Sequence, residues 1–159
     1  MEYSIRDAEA KDMVQVHKLI KELAVFEKEE NAVEVTVEDL IRDGYGPQKL
    51  FHCYVAEANR DVVGMALLYN RYSTWKGPII HLEDLIVTEA MRGSGLGAAL
   101  LTKVVEHGHQ LGVRRINWEV LDWNDPAITF YESRGAKVLR DWNVVHLDEK
   151  GIKTFLNKL

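Results

Sequence analysis

Leu85-Ile86-Val87, followed by Arg92-Gly93-Ser94-Gly95-Leu96-Gly97, is the stretch whose reading decides the fold. A hydrophobic strand signal runs from Ile79 to Thr88. The glycines come next, and they lead straight into a helical pattern from about Gly95 to Leu111, with Leu96, Leu100, Val104, His107 and Leu111 on one face. Glycines let successive backbone N–H groups turn toward one point and form an anion-binding nest. The helix start adds its positive dipole end at the same place. A diphosphate is the guest such a loop suits. Gly93-x-Gly95-x-x-Ala98 also fits a dinucleotide pattern, with Glu119 about 20 residues on. That motif follows the first strand of a βαβ series. Here it comes past the middle of the chain, after hairpin-like strands, with one strand–helix–strand crossover left to follow. The dinucleotide reading is therefore the weaker one.

Working outward, Ser4 to Arg6 reads as a short strand, and residues 10–28 as a helix with Val16, Leu19, Ile20, Leu23 and Phe26 on one stripe. Thr36 to Arg42 reads as a second helix, stopped by Gly44 and Gly46. Phe51–Ala58 and Val62–Tyr69 read as strands joined at Asn59-Arg60-Asp61. Arg115–Leu121 reads as a strand, Pro126 opens a helix ending near Gly135, and Val138–Leu147 carries one or two more strands. Helices, a meander, then strand–helix–strand–helix–strand give an α/β (mixed α+β) class with helices on the faces of the sheet.

The 159 residues suit one domain, 1–159, with 47% hydrophobic and 28% charged residues. The net charge of −5 argues against a nucleic-acid binder and is compatible with a cationic substrate. Trp118, Trp123 and Trp142 are scattered and lack the basic neighbours of a stacking platform. No apolar run approaches roughly 18 residues and no signal-peptide pattern is present, which predicts a cytoplasmic protein without membrane contact. The lone cysteine, Cys53, lies in a strand pattern with Phe51 and Val55 on its face and reads as core rather than nucleophile. The six histidines give no metal spacing; His107 and His109 do not share a helix face. His81 and Glu83 could share a strand face. Ile152, Phe155, Leu156 and Leu159 keep helical spacing in the tail, which could cap the core or meet a partner subunit.

Arg92-x-x-Gly95-x-Gly97 after a hydrophobic strand resembles the pyrophosphate loop of the GNAT superfamily of N-acetyltransferases. About 30 residues on, Asn124-Asp125-Pro126 and Phe130-Tyr131-Glu132-Ser133-Arg134-Gly135 are similar to that superfamily's second mark. Ile20 to Ala24, Phe26-Glu27-Lys28, Asp43 to Gly46, Phe51 to Glu57, Trp75-Lys76-Gly77 and Leu82-Glu83-Asp84 resemble the diamine acetyltransferase group across nearly the whole chain. Tyr72 to Gly77 and Val120 to Asn124 look closer to its thialysine branch.

The resemblance implies a mostly antiparallel twisted sheet of six to seven strands with about four helices. It implies acetyl-CoA as co-substrate, no metal, a small-molecule amine as acceptor, and a homodimer. Leu85, Ile86 and Val87 would meet the pantetheine arm. Arg92, Gly93, Ser94, Gly95, Leu96 and Gly97 would hold the pyrophosphate, with Asn124 also on the cofactor. Glu83 would be the base and Tyr131 the acid. Phe26, Glu27, Trp75 and Asp84 would hold the acceptor, Asp84 on the opposite sheet face from Glu83 if the strand is regular and otherwise if it is bulged. The polyamine-acetylating members carry acidic residues where Ser73 stands and shortly before the tryptophan matching Trp142; this chain has Arg140-Asp141 there. The expected acceptor is a thialysine- or lysine-like amino acid or a diamine. The alternatives are a short polyamine, a protein lysine, or a CoA-binding regulatory module without turnover.

Overall fold

The computed structural model describes residues 2–159. The chain divides into two compact units, one up to Glu119 and one from Val120 to Leu159.

The first unit is built on a five-stranded sheet in the order β1 (Ser4–Asp7), β2 (His52–Ala58), β3 (Asp61–Ser73), β4 (Gly77–Val87), β5 (Ile116–Asn117). The first four strands pair antiparallel; β5 lies parallel to β4. A parallel pair needs a crossover, and α3 (Leu96–Leu111) supplies it.

Helix α1 (Met13–Phe26) covers one face of the sheet. Its Met13, Val16 and Leu19 are buried against Cys53, Val55, Met65, Leu67 and Ile86. These strand positions are two residues apart, as one face of a pleated strand requires. Before the helix, the chain turns through Ala10–Asp12, where Asp12 is buried and takes a two-pronged ion pair from Arg6 at 2.7 and 3.0 Å. Helix α2 (Val37–Tyr45) begins at a capping box. Thr36 Oγ1 accepts from the Asp39 N–H, and Asp39 accepts from the Thr36 N–H. Helix α3 lies on the other face. A side chain at Gly64 would meet Leu100 of α3 and the Ile86 carbonyl, and Tyr54, one position off the α1 face, bonds His107 of α3 at 2.8 Å.

The second unit holds α4 (Asp125–Glu132) and α5 (Glu149–Leu156). Asn124 caps α4 and Asp148 caps α5 through their side-chain oxygens. Val138–Leu147, expected to carry one or two strands, forms none. Leu139, Val144, Val145 and Leu147 are exposed, and Arg140 turns back to Glu132 at 3.1 Å. Alternating apolar residues specify a strand only where a partner ladder and a buried face are present. Among the described residues the sheet therefore has five strands rather than six or seven, and there are five α-helices rather than about four. The strand expected over Arg115–Leu121 shortens to Ile116–Asn117. The mixed α/β class is as expected. No helix among the described residues is long and apolar enough to cross a membrane.

Candidate active site

The feature that shapes the site is a break in strand register. Leu67 pairs with Asp84 and its neighbour Leu68 pairs with Leu82, so Glu83 is an extra residue on β4, a β-bulge. Below the bulge, His81 pairs with Tyr69; above it, Ile86 pairs with Met65. Tyr69, Leu67 and Met65 alternate on the face that α1 covers. The extra residue shifts the phase of β4 by one, so Glu83 and Asp84 both turn to this face. A regular strand would send them to opposite faces.

Glu27 joins them from the end of α1. Burial raises the pKa of Asp84 from 3.8 to about 6, helped by the charges of Glu83 and then Glu27. Burial also raises Glu27, with Glu29 adding to it. The negative end of the α1 dipole points the same way. Three carboxylates and a helix C-terminus make a site that favours a cation. Glu83 itself is about half-exposed (53%), with His81 Nε2 at 3.5 Å from its Oε2. Burial, and then the nearby Glu83, hold the Tyr69 phenol above its usual range.

Four residues after Glu83, β4 ends and the glycine loop begins. Gly93 and Gly95 are in the left-handed region, at φ +75° and +87°. A Cβ at either would meet nothing within 4 Å, so conformation rather than crowding demands glycine there. Gly95 is the N-cap of α3 and brings no side chain to its first-turn N–H groups. These donors, with the dipole, fit a phosphate. Arg92 donates from Nε to the Val87 carbonyl at 3.2 Å and lays its guanidinium over the Phe26 ring at 5.2 Å. From Leu82 onward, the edge of β4 turned away from β3 has no strand on it among the described residues.

Gly95→Ala is expected to cost about 1–2 kcal/mol, the strain of a left-handed alanine. Because no clash accompanies it, the fold should survive while binding of a diphosphate in the nest weakens. Melting temperature with and without inorganic pyrophosphate measures both effects.

Asp84 carries a pH signature. Its folded pKa is raised, so the favourable contribution is complete below the unfolded value near 3.8 and is lost as pH rises through about 6. Asp84→Asn is expected to stabilise the protein at pH 7.5, by at most about 3 kcal/mol. The gain should vanish by pH 4. Urea midpoints at the two pH values check it.

One supporting residue lay beyond sequence reasoning. Glu22 of α1 accepts from Thr88 Oγ1 at 3.0 Å and from the Glu89 N–H at 2.8 Å, and stands 3.7 Å from Arg92 Nη2. It ties α1 to the start of the loop across 66 residues of sequence, where no local pattern signals a contact.

The structure thus brings Phe26, Glu27, Glu83, Asp84, Leu85, Ile86, Val87 and Arg92 to Gly97 into one region of the first unit. It does not bring Trp75 there. Trp75 sits in the β3–β4 turn, 77% exposed, roughly 20 Å of strand from Glu83. Asn124 and Tyr131 belong to the second unit, at the cap and in the last turn of α4. Burial raises the Tyr131 phenol above its usual range. Cys53 is core: it is buried, and burial pushes its thiol up to about 12, which removes it as a nucleophile at neutral pH. No group of three or more metal-ligating side chains occurs among the described residues.

A glycine-lined anion nest at a helix head, entered from a bulged strand bearing carboxylates on a mixed α/β sheet, suits a phosphate-bearing ligand beside a cation. The family model described as acetyltransferase (GNAT) family matches residues 13–136, and the chain belongs to that family. It is an acyltransferase. Thialysine N-epsilon-acetyltransferase of Bos taurus is 35% identical over 97% of each chain. Spermidine/spermine N(1)-acetyltransferase-like protein 1 of Homo sapiens is 38% identical over 91% of this chain, which spans 22% of that protein's length. Among solved structures, an integron cassette protein from the mobile metagenome of V. cholerae superposes with a TM-score of 0.79 over 98% of each chain at 19% identity, a likeness of fold.

Proposed function

We propose that this acyltransferase moves the acetyl group of acetyl-CoA to the primary amine of a small cationic molecule, a thialysine- or lysine-like amino acid or a diamine. The carrying observation is the bulge that turns Glu83 and Asp84 to one face, beside Glu27 and just ahead of the anion nest. The similarity to thialysine and spermidine/spermine acetyltransferases supports the acceptor class.

A protonated amine cannot attack a thioester. At a pKa near 10.4, about one amine in a thousand is free base at pH 7.4, a cost of about 4 kcal/mol. In this reading Glu83 takes that proton, directly or through a water. Its exposure leaves it reachable, and its place on the cation-favouring face puts it beside the amine. Glu27 and Asp84 hold the acceptor's distal positive charge, and Phe26 packs on its chain. The amine nitrogen forms a bond to the acyl carbon, the carbon–sulfur bond breaks, and its electron pair leaves on sulfur. Tyr131 then gives its proton to the thiolate, and the second proton that the nitrogen sheds on becoming an amide returns the phenolate to the phenol. The N–H groups of Gly93 to Gly97, with Arg92, hold the pyrophosphate, the open edge at Leu85 to Val87 receives the pantetheine arm, and Asn124 adds a contact. The two units together form one acetyltransferase domain. The homodimer, and the packing of Trp75 on the acceptor, rest on resemblance to the diamine acetyltransferase group.

The test is release of CoA thiol from acetyl-CoA with thialysine, lysine, ornithine, putrescine, spermidine, spermine and a lysine peptide as acceptors. Release with one small amine far ahead of the rest is expected. Tight acetyl-CoA binding without release, or release only with the peptide, overturns the proposal.

A further inference from the structure

His81 is 6% exposed, stands two residues before Glu83 on β4, and has no part in the scheme above. Its two ring nitrogens face different partners. Nδ1 lies 2.6 Å from Asn117 Nδ2 on β5 and 3.4 Å from Arg71 Nη1 on β3. A guanidinium has N–H groups and no acceptor, so a nitrogen bonded to it must be the accepting one. The Asn117 amide nitrogen, also a donor only, faces the same Nδ1. In the neutral ring the proton is therefore on Nε2, which lies 3.5 Å from Glu83 Oε2. That distance is at the outer edge of hydrogen bonding, as is common in catalytic groups without substrate.

The charged and titratable neighbours are few. Glu83 lies on the same strand, Arg71 and Tyr69 come from β3, and Glu119 follows β5. Burial holds the imidazole below its usual pKa; Arg71 adds to this, while Glu83 and Glu119 oppose it. Protonating Nδ1 would also displace two donors. The ring stays a neutral donor near pH 7.

We propose that His81 is a positioning residue for Glu83, its Nδ1 fixed by Arg71 and Asn117 so that Nε2–H grips one carboxylate oxygen and leaves the other to meet the acceptor's amine. This rests on the reading of Glu83 as proton acceptor. Alternation along β4 puts Glu83 on the face of His81, and His81 helps to choose its rotamer. The Tyr69 phenol also hydrogen-bonds Glu83, so His81 and Tyr69 together narrow the rotamers open to a half-exposed glutamate. A neutral donor stabilises a carboxylate more than a carboxylic acid.

The experiment is kcat against pH, at saturating acetyl-CoA and acceptor, for the wild type, His81→Phe, His81→Gln, Glu83→Gln and the double variant His81→Phe/Glu83→Gln. His81→Phe keeps the ring shape and removes the donor. It should lower kcat about ten-fold, leave KM for acetyl-CoA unchanged, and move the ascending limb toward higher pH. His81→Gln, which keeps an N–H at similar reach, should restore most of the rate and the limb. The double variant should be no slower than Glu83→Gln alone. If His81→Phe fails to fold, His81→Asn takes its place, since it keeps polar contact with Asn117 and Arg71 but cannot reach Glu83. A rate loss with an unmoved limb, or a loss that multiplies with that of Glu83→Gln, would mean that His81 only supports the fold, and the proposal falls. Wild-type turnover in Glu83→Gln is a separate result: it removes Glu83 as the acceptor of the proton, whatever His81 does.

Discussion

Glu83→Gln is expected to lower kcat/KM for the amine about 10²–10³-fold at pH 7.4, the range general-base catalysis supplies. The size of the loss should depend on pH, and that dependence separates base catalysis from simple binding. The base is needed because the acceptor arrives protonated. Each unit of pH up to about 10.4 raises the free-amine fraction ten-fold. The deficit of the variant should therefore shrink steadily between pH 7.4 and 9.5. A constant deficit over that range would mean that Glu83 holds the acceptor and does not take its proton. Asp84 is more buried than Glu83, which leaves it less reachable as a substitute base.

Tyr131→Phe is expected to lower kcat about 10²-fold with no change in acetyl-CoA affinity. The phenol is raised by burial, so it is fully protonated at neutral pH and serves as a donor. A thiol near pKa 8.5 is the stronger acid, so proton transfer from a phenol to a thiolate runs uphill unless the two are held close. The variant keeps the ring and removes the proton. Calorimetric titration with acetyl-CoA, beside steady-state rates, checks both halves of the expectation. Unchanged turnover would take Tyr131 out of the mechanism.

Much of this was legible in the sequence because it is local. The stripe Val16, Leu19, Leu23 marks α1, and the glycines at 93, 95 and 97 mark the nest. Glycine at a left-handed helix cap is a requirement of the backbone, and it shows in one residue. His81 and Glu83, two apart on a strand, were bound to be neighbours if the strand held. What was not legible is non-local. Arg71 and Asn117 reach His81 only through the pairing of β3 and β5 with β4. Glu22 meets Thr88 only because α1 lies on the sheet. Val138 to Leu147 carries the residues of a strand and forms none, since propensity does not supply a partner. The turn of Asp84 toward Glu83 depended on a bulge, and no residue type in Leu82-Glu83-Asp84-Leu85 announces one.

That extra residue makes β4 a strand with two phases. Odd-numbered positions up to Glu83 and even-numbered positions from Asp84 look the same way, as if the chain missed a step in a two-beat rhythm. An alignment with an unbulged strand that omits a one-residue gap here would set every downstream side chain on the wrong side of the sheet, the loop-bearing end included. Removing the extra residue, Glu83, would leave Asp84 opposite Leu67 in a regular ladder. It would also take away one of the two acids, and with it part of the place where a positive charge is drawn in.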